Sequence, residues 1–109
     1  SIGVPQALFT AGAKPGSNPL IGGLTAGKAA IQSLKDKTNN AWTGYSLPIV
    51  GYSVVDSFAR YWTKTPFANA DLPTQILTQK NIGTAVLTPQ GDYLGVKDYK
   101  AQFKKVWGM

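Results

Sequence analysis

Cysteine, histidine and glutamate are all missing from this sequence of 109 residues. Without cysteine the chain forms no disulfide and has no thiolate to bind a metal ion or act as a nucleophile. Without histidine it lacks the side chain that most often serves as a general base near neutral pH. We therefore predict no catalytic residue, no metal site and no bound cofactor, and we expect that the protein is not an enzyme.

Carboxylates are also scarce, because the five acidic residues are all aspartates. They are Asp36, Asp56, Asp71, Asp92 and Asp98. Acid–base chemistry by carboxylates needs two of them close together, whereas these are spread one to each predicted segment of the chain. The spacing therefore gives no reason to expect a paired carboxylate site.

Charge of either sign is sparse: charged residues make up 15% of the chain and hydrophobic residues 43%. Ordinary hydrophobic content argues against intrinsic disorder, and so few charges favour a protein whose surface is largely covered by partners. Long hydrophobic runs are missing too, since the richest window, residues 47–62, is shorter than a membrane span and contains Asp56 and Arg60. We predict no transmembrane span and leave the compartment open, with peripheral membrane association as one option.

The charges that are present are mostly positive, with a net charge of +6 and Arg60 as the single arginine beside ten lysines. Half of this excess lies in residues 1–50 and half in residues 97–109, whereas the middle of the chain is neutral. Such a distribution favours an anionic partner. Three such partners are an acidic protein face, a lipid headgroup layer and nucleic acid.

The richest apolar segment, SLPIVGYSVVDSFARYW, predicts a helix over 46–63 around which the rest of the chain packs. Ser46 suits the N-cap, and Pro48 suits the first turn because its missing N–H is not needed there. Asp56 and Arg60 stand one turn apart on the polar face, where they form an ion pair. The apolar face, predicted to form the core, consists of Val50, Val54, Val55, Phe58, Tyr61 and Trp62.

The remaining pattern predicts an extended arm rich in glycine and proline at residues 1–23, followed by a single small domain at residues 24–109. The expected fold class is mainly α with one β-hairpin, a small α+β domain with amphipathic helices around the central helix 46–63. The other predicted elements are helices over 24–39, 71–80 and 97–107, a short linker with Trp42 and Tyr45, and a hairpin of 84–88 with 92–96 around Pro89-Gln90-Gly91.

Residues 22–29, GGLTAGKA, match the phosphate-binding pattern G-x-x-x-x-G-K, with alanine in place of the serine or threonine that would hold magnesium. A phosphate loop must follow a buried parallel strand within a nucleotide-binding sheet of several βαβ units. Only Leu20 and Ile21 precede the glycines as apolar residues, and the chain is too short for such a sheet. We interpret the match as chance and regard a nucleotide-utilising enzyme as the least favoured function.

Both ends of the chain carry the residues that we predict to bind partners. Phe9 in the arm is expected to fill an apolar groove, and the C-terminal helix places lysines on one side and aromatic residues on another. The predicted partner-binding residues are Phe9, Lys97, Lys100, Phe103, Lys104, Lys105 and Trp107. Basic side chains with exposed aromatic rings are also typical of single-stranded nucleic-acid binding, although helical spacing favours core positions for most of the twelve aromatic residues.

These absences and patterns together favour a non-catalytic structural or accessory subunit that binds within a larger assembly. A membrane-bound energy-converting complex, photosynthetic or respiratory, is one setting that offers apolar crevices and anionic lipid, and a virion is another. The expected partners are other protein subunits first and an anionic lipid surface second. The alternative function is a basic, aromatic-rich protein that binds single-stranded nucleic acid, with nucleic acid the less favoured partner.

Overall fold

The computed structural model describes residues 3–68 and 71–109, which leaves Ser1 and Ile2 of the predicted arm outside the described residues. The described residues form a small α+β fold of four α-helices and a three-stranded mixed sheet, with an elongated outline. In chain order the elements are α1 Val4–Thr10, β1 Gly22–Gly23, α2 Lys28–Lys35, β2 Ala41–Tyr45, α3 Leu47–Thr63, β3 Thr74–Thr78 and α4 Tyr99–Val106. A 3₁₀ turn at Ile82–Thr84 lies between β3 and α4.

The sheet has the order β1-β2-β3, with β2 in the middle. β1 runs parallel to β2, with Gly22 opposite Ala41, and α2 forms the crossover between these two strands. β2 runs antiparallel to β3, in a register that sets Trp42 opposite Leu77. Residues that lie directly opposite each other on paired strands share one face of the sheet. Trp42 and Leu77 therefore lie on the same face, and both contribute to the core on that side.

The core lies between α2 and this face of the sheet. Ile31 and Leu34 extend from α2, and Leu34 and Leu77 are fully buried. Tyr93 packs over the sheet at Gly44, so closely that a Cβ atom on Gly44 would lie 2.7 Å from Cε2 of the tyrosine ring. The buried cluster consists of Ala26, Ile31, Leu34, Leu77 and Tyr93.

Two segments that the sequence predicts to be a helix and a linker form strands in the structure. The helix predicted over 71–80 is wrong, because this segment contains β3, and the linker with Trp42 and Tyr45 is β2. Both segments contain aromatic or β-branched residues such as Ile76 and Thr78, which pack well in a sheet. Segments of five residues are too short for their periodicity to separate helix from strand. The pairing between β2 and β3 therefore decides that both segments are strands.

The hairpin predicted over 84–96 is only partly present, since this fully described segment contains no pair of strands. A turn does form around residues 89–91, and beside it Leu87 and Tyr93 make one isolated antiparallel bridge. On either side of this bridge, the backbone N–H of Thr88 donates to the carbonyl oxygen of Asp92 and that of Leu94 to the carbonyl oxygen of Val86, both at 2.8 Å. The N–H of Tyr93 donates to the carbonyl oxygen of Ala26 in the core region. The predicted hairpin is therefore reduced to its turn and one bridge, and Tyr93 packs in the core.

The other predicted helices change in extent. The helix predicted over 24–39 is only the eight residues of α2, because Thr25 and Lys37 adopt positive φ angles of 60° on either side of it. The predicted C-terminal helix is α4. The arm at 1–23 is not wholly extended, since α1 lies within it and carries Pro5 in its first turn. Within the described ranges, none of the helices is long and apolar enough to cross a membrane.

The 17-residue helix α3 agrees with the helix predicted over 46–63 but does not occupy the centre of the fold. All of α3 is described, and only Ile49 within it is buried. The radius of gyration is 17.5 Å and the longest dimension is 59 Å, whereas a compact chain of this length has a radius of gyration of about 13 Å. The helix predicted to form the core therefore lies outside the main core.

Candidate interaction surface

Helix α3 presents two faces of different character. Ser46 precedes the helix in an extended conformation, and Pro48 lies in its first turn. At about 100° per residue, most of the apolar side chains of α3 fall within an arc of about 120°. This face, named the α3 stripe, consists of Leu47, Gly51, Val54, Val55, Phe58, Tyr61 and Trp62.

The α3 stripe is open to solvent. Its six side chains other than Gly51 are 49–72% exposed. The prediction that this face forms the core is wrong, and Val50, at the margin of the stripe, is only half-buried. The physical reason is that α4, the helix that packs against α3, covers the opposite face. Single exposed apolar residues are ordinary, but a contiguous apolar patch of this kind marks an interaction surface.

A groove runs along the C-terminal part of the α3 stripe. It has a volume of about 370 Å³ and is lined by Val54, Ser57, Phe58, Tyr61 and Phe67. Phe67 comes from the segment after the helix, which is held by a hydrogen bond of 3.1 Å from Arg60 Nη1 to the carbonyl oxygen of Pro66. Phe58 and Trp62 stack with their ring centroids 5.6 Å apart. The groove therefore offers a mainly apolar surface to the side chains of a partner.

The opposite face of α3 is covered by α4 through an aromatic cluster. Tyr52 stands at the centre of this cluster. Its ring centroid lies 5.2 Å from that of Tyr99, 5.4 Å from that of Phe103 and 5.8 Å from that of Trp107. The contact with Tyr99 is edge-to-face and the contact with Trp107 is stacked, which are both favourable arrangements of aromatic rings. The cluster joins the C-terminal helix to α3.

Asp56 completes the junction between α3 and α4. Its Oδ2 accepts a hydrogen bond of 2.7 Å from Arg60 Nε, and its Oδ1 accepts one of 2.9 Å from Trp107 Nε1. The hydrogen bond from Arg60 holds the pKa of Asp56 below its ordinary value of 3.8, with help from Trp107 and the guanidinium charge and against the opposing effect of burial. The predicted pair of Asp56 with Arg60 is therefore present, and it lies partly beneath α4.

The predicted partner-binding residues do not form one surface. Phe103 and Trp107 face α3 and are half-buried in the aromatic cluster. Exposed basic side chains on and just before α4 are Lys97, Lys100, Lys104 and Lys105. Because α4 packs on the side of α3 opposite the α3 stripe, these lysines and the stripe belong to different surfaces. Phe9 is 70% exposed on α1, whose residues are all described and include no buried one.

Sequence reasoning assigns partner binding to the chain ends and misses the α3 stripe. An amphipathic stripe in a small domain ordinarily faces the core of that domain, so the stripe reads as core. The one signal that points to the stripe is the charge content of 15%, which leaves a large uncharged surface for a partner to cover.

A second depression, lined by apolar as well as polar groups, lies at the carboxyl ends of the two parallel strands. β1 and β2 both end there, before α2 and α3 respectively, and ligands in α/β folds commonly bind at this edge of a sheet. The depression has a volume of about 380 Å³, and Ala26, Leu47 and Pro48 line its apolar part. The other side chains that line it are Thr25, Tyr45, Thr88, Gln90, Asp92 and Tyr93. Ser46, next to this lining, has a buried hydroxyl without a hydrogen-bond partner among the described residues.

Asp92 occupies the N-terminus of α2. Its Oδ1 accepts a hydrogen bond of 2.7 Å from the backbone N–H of Lys28, the first residue of the helix. The N-terminus of a helix attracts anions, and here a carboxylate of the chain takes that position. A phosphate bound at this helix N-terminus would face the carboxylate of Asp92, which would repel it. This position of Asp92 supports the interpretation that residues 22–29 match the phosphate-binding pattern by chance.

Comparison with known proteins identifies a fold and not a family. No family model matches the chain, and no curated protein matches its sequence. The structure is similar to a crystal structure of a protein from Mycobacterium smegmatis, with a TM-score of 0.59 and 18% sequence identity. The similarity covers 97% of this chain and 32% of that chain, so this chain spans about a third of the length of the solved protein. The backbone arrangement therefore recurs within a longer polypeptide.

Proposed function

We propose that this chain is a non-catalytic structural or accessory subunit that binds within a larger protein assembly, with the α3 stripe as its main contact surface. The observation that carries the proposal is the uncovered stripe: six large apolar side chains, 49–72% exposed, on one face of a 17-residue helix. Leaving a contiguous apolar surface in water is unfavourable, whereas burying it against a partner gains about 25 cal/mol for each Å².

The total surface of the chain supports the proposal. The accessible surface is 7333 Å², whereas a compact monomer of the same mass exposes about 5,800 Å². The excess of about 1,500 Å² is comparable to what one partner contributes to a large, obligate interface. The recurrence of this backbone as 32% of a longer chain gives separate support, because the corresponding unit there is accompanied by further polypeptide.

The lysines of α4 are proposed to guide the subunit toward an acidic surface. The aromatic residues that would anchor α4 in a bilayer, Phe103 and Trp107, pack on Tyr52 instead. This arrangement favours an acidic protein face over a lipid surface as the partner of the lysines. A membrane-bound energy-converting complex and a virion are two settings in which such a subunit would dock.

Substitution within the α3 stripe tests the docking role. A tagged copy of the chain expressed in its native cells should co-purify with its partner in fixed proportion, and the double variant Phe58→Gln/Trp62→Gln should lose that partner. Val106→Gln is the matched control, because Val106 is an apolar helical residue outside the stripe with 62% exposure. Unchanged recovery of the partner by the double variant would contradict the proposal.

The contribution of the C-terminal lysines is tested separately. Replacing Lys97, Lys100, Lys104 and Lys105 with glutamine should weaken docking most at low salt, because attraction between exposed charges is screened as ionic strength rises. The matched control replaces the four lysines of residues 1–50 and removes the same charge from another part of the chain. Equal weakening by both variants would show that net charge, and not this surface, is responsible.

Binding of single-stranded nucleic acid stays the alternative proposal. Stacking of bases needs exposed aromatic rings beside basic side chains. Tyr61 offers one such pair, with Lys64 Nζ 5.4 Å from its ring centroid, whereas Phe103 and Trp107 are turned toward Tyr52. An oligonucleotide affinity that falls steeply with rising salt would promote this alternative, and absence of binding would dismiss it.

The depression beside β1 and β2 supports a second candidate function, the binding of a small ligand with both apolar and polar groups. The observation that favours it is the convergence of Tyr45, Thr88 and Asp92 on a cavity of about 380 Å³, a size typical of ligand sites. The carboxylate of Asp92 favours neutral or cationic ligands over anions. A panel of such compounds, screened by amide NMR shifts of Tyr45 and Asp92, tests the site, and Asp92→Ala should abolish any specific shift.

A further inference from the structure

We propose that the occupant of the α3 stripe is a second copy of this chain, with the two α3 helices antiparallel. The inference rests on the proposed docking function and names the partner. The residues along the centre of the stripe recur at alternating intervals of four and three, which is the seam along which two helices pack side by side. They are Leu47, Gly51, Val54, Phe58 and Tyr61.

Gly51 forms a notch in this seam. A Cβ atom at Gly51 would meet nothing within 4 Å among the described residues, and glycine permits a large group to approach its backbone closely. Phe58, two turns later, projects from the centre of the same face. An antiparallel pairing about a two-fold axis between Val54 and Val55 sets the Phe58 of each copy over the Gly51 of the other. The surface is thus complementary to itself, as an interface with two-fold symmetry requires.

Charge does not oppose this pairing. The charged residues of α3, Asp56 and Arg60, pair with each other on the opposite face. The lysines of α4 lie on that far side as well. Lys64, whose Nζ lies 5.4 Å from the ring centroid of Tyr61, stands at one end of the seam, and the antiparallel arrangement sets the Lys64 of the two copies at opposite ends.

Sedimentation equilibrium of the purified chain across a dilution series tests the inference, and the wild type should follow a monomer–dimer equilibrium. Phe58→Gln should lower the association constant about tenfold or more, because it removes the central anchor. Gly51→Leu should lower it about as much by filling the notch, yet leave the melting temperature of the monomer unchanged or higher, because leucine is the better helix former. Val106→Gln, outside the stripe, should leave the association constant unchanged.

Cysteine crosslinking tests the orientation, and the chain contains no native cysteine to interfere. Val54→Cys should form a disulfide-linked dimer on mild oxidation, because Val54 lies next to the proposed two-fold axis. Leu47→Cys should crosslink to Tyr61→Cys in a mixture of the two variants but not to itself. Self-crosslinking of Leu47→Cys together with failure of Val54→Cys would overturn the antiparallel arrangement.

A chain that stays monomeric at every concentration overturns the inference. If that monomer still loses a co-purifying partner in the Phe58→Gln/Trp62→Gln variant, the α3 stripe binds a different polypeptide, and the proposed docking function stands without a second copy. If the chain dimerises but the dimer is indifferent to Phe58→Gln and Gly51→Leu, another surface forms the contact and the inference fails.

Discussion

The apolar faces of α2 and α3 lie in opposite environments, one in the core and the other largely in solvent. In the half built from α2 and the sheet, Leu34 and Leu77 are fully buried. In the half built from α3 and α4, Phe58 and Trp62 are exposed, whereas Asp56 on the polar face lies partly under α4. An amphipathic pattern therefore identifies the side of a helix that is to be buried, but it does not say whether that side is buried by the same chain or by a partner.

Matched leucine truncations should give the largest contrast between the two halves. Leu77→Ala should lower the free energy of unfolding by about 2–5 kcal/mol, because it deletes fully buried methyl groups and leaves a cavity. Leu47→Ala, on the α3 stripe, should lower it by less than about 0.5 kcal/mol in the monomer, because the side chain is exposed. Urea denaturation at a concentration where the chain is monomeric measures both values. Equal losses would show that the stripe is buried within a single copy.

Replacing one glycine in each half by alanine should change the free energy of unfolding in opposite directions. Gly44→Ala should lower the free energy of unfolding by about 1–3 kcal/mol, because its Cβ would lie 2.7 Å from the Tyr93 ring. Gly51→Ala, in the open interior of α3, should raise it by up to about 1 kcal/mol, because alanine favours the helix. Thermal unfolding of the two variants under identical conditions checks the signs. A stabilising Gly44→Ala would mean that Tyr93 does not pack on the sheet.

The polar face of α3 should contribute an intermediate amount to the free energy of unfolding. Asp56→Asn keeps the size of the side chain but removes the charge that accepts hydrogen bonds from Arg60 and Trp107. We expect a loss of about 1–2 kcal/mol in the free energy of unfolding. Hydrogen exchange should speed up in α4 and stay unchanged in α2. Asp36→Asn is the control, because Asp36 is exposed and lies away from this junction.

The same carboxylate makes the junction sensitive to acid. The pKa of Asp56 in the folded chain lies below its ordinary value of 3.8. The stabilisation is therefore complete at pH values above 3.8 and is lost as the pH falls through the folded pKa. On acidification below about pH 4 the indole N–H resonance of Trp107 should shift as α4 loosens. The Asp56→Asn variant should lack this step, and an identical acid profile in both proteins would contradict the assignment.

Much of the helical content is predictable because its signals are local. The 17 residues of α3 contain enough turns for the helical period to be unambiguous, and Ser46 and Pro48 mark its start. The strands β2 and β3 carry no comparable signal. They are five residues each, and they form because residues 41–45 and 74–78, far apart in the sequence, pair in register. That pairing is a property of the folded chain and leaves no periodic trace in either segment.

The candidate interaction surface was only partly predictable for the same reason. The lysines of the C-terminal helix and Phe9 are exposed, and their role in partner binding stays a prediction. The sequence predicts the α3 stripe to be core, because no pattern within α3 indicates which of its faces α4 covers. That choice depends on Tyr52 and on the acceptor Asp56, which meet the rings and the indole N–H of α4. A few specific contacts therefore outweigh the broader apolar face.

The smallest effect on stability should come from the open stripe, although the effect on binding there should be large. Phe58→Gln should change the free energy of unfolding of the monomer by less than about 0.5 kcal/mol. At a concentration where the chain is monomeric, it should nevertheless lower the fluorescence of a bound apolar dye such as ANS, because Phe58 lines the groove beside Phe67.

Phe103→Gln is the matched control, since Phe103 is half-buried against Tyr52 on the covered face. Its removal should loosen α4 and raise dye binding by uncovering apolar surface, so the same substitution is expected to act in opposite directions on the two faces of α3. If Phe58→Gln raised dye binding as well, its ring would be part of the packing within a single copy. The two faces of α3 would then not differ, and the α3 stripe would need no partner.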